Sequence, residues 1–124
     1  MQGKHKLMSI TIYHNPACGT SRTVMGILQD AGIQPNVIEY LKTPPTRQEM
    51  IDLLNELGMT PREIIRTKGN LYGDLGLADE SLTDDQLLDA LGENPILMER
   101  PIVKSPKGVR VCRPADRVRD LLPA

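Results

Sequence analysis

The spacing of apolar positions changes several times along the chain, and each change predicts an element. Ile10–Tyr13 is a short run rich in β-branched residues, followed by a loop containing Pro and Gly, and it predicts a strand. Val24, Leu28 and Ala31 then recur at helical spacing, with Gly32 as a C-terminal stop. Val37–Tyr40 predicts a second strand. A strand, a helix and a strand in that order imply a parallel pair joined by a right-handed crossover.

Three helix starts follow, each with a Thr and an acid or amide three residues on. Thr46 with Glu49 opens the stripe Met50, Leu53, Leu54 and Leu57, which Gly58 ends. Thr60 with Glu63 repeats the signal, with Pro61 at the first helical position. Thr83 with Gln86 opens a third helix through Leu87, Leu88 and Leu91. Beyond Pro95, Ile102-Val103 and Val109–Val111 predict two strands joined across Lys104–Gly108 as a hairpin. Pro114 fits the first turn of a closing helix that carries Val118, Leu121 and Leu122. The order predicts an α/β, thioredoxin-like fold: a mixed four-stranded sheet with a helical insert at about residues 46–94. Residues 1–8 read as a disordered extension or tag, and residues 9–124 as a single domain.

Composition narrows the function. The chain has 124 residues, 40% of them hydrophobic, yet only 2% are aromatic, and Trp and Phe are absent, so the core is aliphatic. A net charge of −1 lacks the basic excess of a nucleic-acid binder. No apolar run approaches membrane-spanning length and no signal peptide precedes the first strand. Two distant cysteines, Cys18 and Cys112, do not form a secreted disulfide framework. The expectation is a cytoplasmic monomer that binds neither membrane nor metal.

The chemistry lies in the loop from His14 to Arg22, between the first strand and the first helix. A thiol at a helix start meets unpaired backbone N–H groups and the positive end of the dipole, and both favour thiolate. Gly19 lets the backbone approach an anion closely, and Thr20 and Ser21 add hydroxyl donors, so one loop can make a nucleophile and an oxyanion cradle. A phosphatase-type loop needs Arg six positions after its Cys, where Val24 stands. A dithiol switch needs a second Cys where Ser21 stands. Cys18 must therefore pass its intermediate to an outside thiol. Spacing alone singles out none of the arginines.

The loop His14–Arg22 resembles that of the ArsC-type, glutaredoxin-dependent arsenate reductases. The resemblance continues through Ile65–Lys68, Tyr72 with Leu75–Leu77, Asn94–Leu97, Glu99–Val103 and Cys112–Pro114, and spans nearly the whole chain from Ser9. It implies that Cys18 is the catalytic nucleophile and that His14 tunes it. It further implies that Arg66, Arg100 and Arg113 bind the oxyanion, with Ser21 and Arg22 as the family's loop Ser and Arg. Guanidinium forks suit this task, because a thiolate attacking an oxyanion needs permanent positive charge at the meeting point. The implied reaction has Cys18 attack arsenate, glutathione and glutaredoxin supply electrons, and arsenite leave, with no bound cofactor. In thioredoxin-like folds a proline placed like Pro101 is often cis, so a cis bond is expected there.

Other readings attach to the same residues. Cys112 reads as structural, with a resolving thiol as the alternative. The run Cys18–Ser21 is superficially similar to monothiol glutaredoxins, which makes a glutathione-dependent thiol transferase an alternative. Spx-like RNA polymerase-binding regulators share the fold, although their redox switch relies on the CxxC pair that Ser21 denies.

Overall fold

A computed structural model describes residues 9–123; the expected extension over residues 1–8 lies outside the described residues. The chain divides into two compact units. One takes the chain up to Thr43 and again from Arg100, and the other is Pro44–Glu99.

The first unit is built on a four-stranded sheet. Its strands are β1 (Thr11–His14), β2 (Asn36–Glu39), β3 (Ile102–Ser105) and β4 (Gly108–Val111), in the order β2-β1-β3-β4. β1 runs parallel to β2 and antiparallel to β3, and β3 pairs antiparallel with β4, so the sheet is mixed as expected. β1 and β2 are each displaced by one residue from the predicted spans. Asn36 starts the pairing by donating to the Ile10 carbonyl at 2.7 Å, and His14 extends it opposite Glu39. The hairpin strands run longer than predicted and leave only Pro106 and Lys107 in the turn, because Lys104 and Ser105 pair with Val109 and Gly108.

Helix α1 (Gly19–Asp30) is the crossover between β1 and β2. Its end is fixed by Gly32 at φ 78°, where Gly32 donates to Gln29 and Ile33 to Leu28. That reversal leaves Ala31 exposed and puts Ile33 into the core instead. Ile12, Val24, Leu28, Val103, Cys112 and Val118 are fully buried together there. The closing element, Ala115–Leu121, is a 3-10 helix with Pro114 as its N-cap rather than inside its first turn. Ala115, Val118 and Leu121 recur every three residues, the period that aligns side chains along a 3-10 helix.

The second unit holds α2 (Arg47–Leu57), α3 (Pro61–Ile64), α4 (Leu71–Asp74) and α5 (Asp84–Glu93), then a 3-10 turn at Pro95–Leu97. All three capping boxes are closed in both directions: Thr46 with Glu49, Thr60 with Glu63, and Thr83 with Gln86. A cap of this kind contributes about 1 kcal/mol, which matters for helices this short. Helix α5 packs against α2, α3 and the 3-10 turn, burying Leu87, Leu88 and Leu91. The unit begins two residues before and ends five after the predicted insert, since Ile65 and Met98 form an antiparallel bridge that draws in the segment up to Glu99. Among the described residues no helix is long and apolar enough to cross a membrane.

Candidate active site

The end of β1 delivers the chain into the Cys18 loop, and three backbone contacts shape it. Asn15, buried at 3% exposure, accepts from the Cys18 N–H through its carbonyl at 2.9 Å, and from the Ala17 N–H through Oδ1 at 3.0 Å. The Arg22 N–H then donates to the Cys18 carbonyl at 3.0 Å and starts α1. Cys18 is thus the N-cap of α1, in extended backbone, with no side-chain hydrogen bond closing the cap. Its sulfur is partly exposed. Asn15 was not singled out in the sequence; the Asn-Pro pair is a turn signal that could have found it.

Two arginines reach the sulfur. The Arg113 Nη1 lies 3.7 Å from Cys18 Sγ and donates to the Arg100 carbonyl at 3.2 Å. Burial pushes the Cys18 thiol up, but the Ser21 N–H, the Arg100 and Arg113 guanidinium groups and the Arg100 charge outweigh it, so the thiol ionises below the ordinary cysteine range. Sheet topology explains why residues so far apart in sequence converge. Arg100 directly precedes the Pro101-β3 segment and Arg113 directly follows Cys112 after β4. Continuing the β3–β4 register sets them opposite each other, and continuing the β1–β3 register sets Arg100 opposite Asn15. The Cys112 N–H donating to the Pro101 carbonyl at 2.8 Å keeps that register beyond the strand ends. Both Arg100-Pro101 and Arg113-Pro114 are cis; the first was expected and the second was not.

A second buried cluster supports the loop from beneath. His14 Nδ1 and Ser21 Oγ are 2.6 Å apart, and the same hydroxyl accepts from the Asn15 N–H at 3.1 Å. Burial lowers the His14 pKa, the Glu39 charge opposes this, and the Arg22 charge adds to it, so the net direction is down and the ring is neutral at neutral pH. A neutral ring can accept the Ser21 proton at Nδ1, which leaves the Ser21 oxygen lone pairs for Asn15. Glu39, the register partner of His14 on β2, is a further charge near the site that sequence reasoning passed over.

The remaining predicted residues occupy different surroundings. Gly19 and Thr20 are the first two residues of α1, Gly19 exposed and Thr20 half-buried. A Cβ on Gly19 would meet only the Arg22 guanidinium, at an ordinary 3.8 Å, so the fold itself does not require glycine there. The Arg22 Nη1 donates to the Pro16 carbonyl at 2.9 Å, tying the loop to its own helix. Arg66 lies in the second unit, where its Nη1 pairs with Glu99 Oε1 at 3.1 Å. Cys112 is fully buried in the core, and that burial pushes its thiol up to about 11.

The geometry has counterparts in known proteins. The chain is 52% identical over 116 residues to an arsenate reductase of Rhizobium meliloti (strain 1021), covering 94% of this chain and 83% of that protein. It is 46% identical over 117 residues to an arsenate reductase of Escherichia coli (strain K12), with the same coverage. The fold is similar to that of a solved arsenate reductase from Vibrio cholerae, with a TM-score of 0.87 at 43% identity over 93% of this chain and 98% of that one. The expected thioredoxin-like arrangement is thereby borne out. With residues 13–121 matching the ArsC family model, this chain belongs to the ArsC family.

Proposed function

We propose that the protein is a cytoplasmic arsenate reductase that uses Cys18 as nucleophile and glutathione with glutaredoxin as reductant. The observation that carries this reading is a sulfur at a helix N-cap with the Arg113 guanidinium 3.7 Å away and Arg100 beside it. That arrangement stabilises a thiolate and an incoming oxyanion at one point. Arg66, Arg100 and Arg113 act as oxyanion ligands. Gly19, Thr20 and Ser21 offer donors at the start of α1, and Arg22 holds the loop. His14 and Ser21 fix the loop from below and tune the sulfur.

The Cys18 thiolate attacks arsenic(V), and one oxygen leaves as water after accepting protons, giving a sulfur–arsenic adduct. The glutathione thiol then bonds to arsenic and a second oxygen leaves as water. A glutaredoxin thiol attacks the glutathione sulfur, forming the mixed disulfide and leaving both electrons on arsenic. Water displaces Cys18 from arsenic(III), releasing arsenous acid and the free thiol. Overall, arsenic acid and two thiols give arsenous acid, one disulfide and water, so the two electrons come from sulfur and no prosthetic group enters. The test is an NADPH-coupled assay with arsenate, glutathione and glutaredoxin. Wild-type protein consumes NADPH, while Cys18→Ser keeps its circular dichroism spectrum and has no turnover. Turnover retained in Cys18→Ser would refute the assignment.

A further inference from the structure

We infer that Glu99 is a resident counter-anion for Arg66: it holds the guanidinium in one orientation and weakens its grip on an incoming oxyanion, and so sets the affinity for arsenate. The inference rests on the reading of Arg66 as an oxyanion ligand, and deepens it.

The pair is built into the backbone. Ile65 and Met98 form an antiparallel bridge, flanked by Arg66 N–H donating to the Leu97 carbonyl at 2.7 Å and Glu99 N–H donating to the Ile64 carbonyl at 2.9 Å. In that register Arg66 lies opposite Leu97 and Glu99 lies two residues on, so the two side chains are diagonal neighbours on one face. Ile65 and Met98, at 4% and 1% exposure, face the other way into apolar packing. Arg66 Nη1 meets Glu99 Oε1 at 3.1 Å, with the side chains 19% and 28% exposed. Solvent therefore screens the pair only in part.

A single-oxygen contact to one terminal nitrogen uses one corner of a five-donor fork. It restrains the guanidinium and leaves the Nε–Nη2 edge, one of the two paired-donor edges that can grip tetrahedral anions, out of the contact. The carboxylate charge nonetheless remains beside the cation, and any bound oxyanion must tolerate it. Glu99 is also the residue directly before Arg100 in the chain. It acts through Arg66 and is a positioning residue.

Glu99→Gln separates the two effects, because the amide oxygen can still accept from Nη1 while the charge is gone. In steady-state assays of the full chain, Glu99→Gln is expected to lower both the KM for arsenate and the inhibition constant of inorganic phosphate. The expected change is about three- to tenfold, from the loss of one partly screened charge, with kcat within about twofold. Arg66→Gln, measured alongside, is expected to raise both constants. If Arg66→Gln raises them and Glu99→Gln leaves them unchanged or raises them, the inference is wrong and the Arg66 reading stands. If Arg66→Gln moves neither constant, the Arg66 reading fails and the inference falls with it. A merely structural role for Glu99 would not tighten anion binding.

Discussion

Arg113→Met tests the electrostatics of Cys18 most directly, since it removes the donor and the charge but keeps an unbranched apolar stem in place of the arginine's. A hydrogen bond to an ionised group contributes about 1.5–3 kcal/mol. The N–S separation here is a long 3.7 Å and the sulfur is partly solvated, so a contribution of about 1–1.5 kcal/mol to the thiolate is appropriate. Losing it reduces the thiolate fraction by about five- to tenfold at pH values below the wild-type midpoint. Each remaining thiolate becomes more basic and more nucleophilic, which restores about two- to threefold of the rate with a disulfide reagent. The net expectation is a reaction about three- to fourfold slower below the wild-type midpoint, and about two- to threefold faster on the alkaline plateau.

The assay is the rate of reaction with an uncharged pyridyl disulfide as a function of pH, which avoids any change in steering by the lost charge. Cys112 does not interfere, because it is fully buried and its pKa is pushed up to about 11. Two crossing profiles, with the variant's midpoint moved up, are expected. An unshifted midpoint would show that Arg113 does not stabilise the sulfur anion. A variant slower at every pH would show a change of access rather than of ionisation.

Two further perturbations probe the supports of the site. Ser21→Ala removes the buried hydroxyl between His14 and Asn15, and should destabilise the fold by about 1–3 kcal/mol in urea denaturation; a loss below about half a kcal/mol would mean that both groups find other partners. Cys112 has a folded-state pKa raised from 9.0 to about 11, so its contribution is complete below the unfolded value and is lost as pH rises through the folded one. Wild-type stability should therefore fall by about 2–3 kcal/mol between about pH 9 and pH 11 relative to Cys112→Ala, and parallel curves for the two proteins would refute this.

Much of this was legible in the sequence because the signals are local. The three capping boxes name their own helix starts, and Gly32 and Gly58 mark helix ends with positive φ. Cys18 was legible as well, since a thiol in a Gly/Thr/Ser loop before a helix is a local pattern with a local consequence. The elements that escaped have weak local signals. Helix α4 is four residues long and buries none of its side chains. The Ile65–Met98 bridge depends on a partner thirty-three positions away. Glu39 acts on His14 only because β2 pairs with β1 in parallel, and Glu99 on Arg66 only because of that bridge. Charges that face each other across strand pairs are set by register, and register is a property of two segments at once.

Arg100 and Arg113 show how such non-local placement can still be strict. Spacing offers no reason to join residues thirteen apart, yet a hairpin with a two-residue turn at Pro106-Lys107 leaves one register in which Ile102 meets Val111 and Val103 meets Arg110. Carried past both strand ends, that register sets the two arginines across from each other, where the Arg113 guanidinium binds the Arg100 carbonyl and reaches the sulfur. A slip of one residue would turn every side chain of β4 to the opposite face. Cys112 would then leave the core that now encloses it completely, and Arg113 would turn away from Cys18. The fit of the buried Cys112 thiol in the apolar core therefore helps to hold the register that brings Arg113 to the Cys18 sulfur.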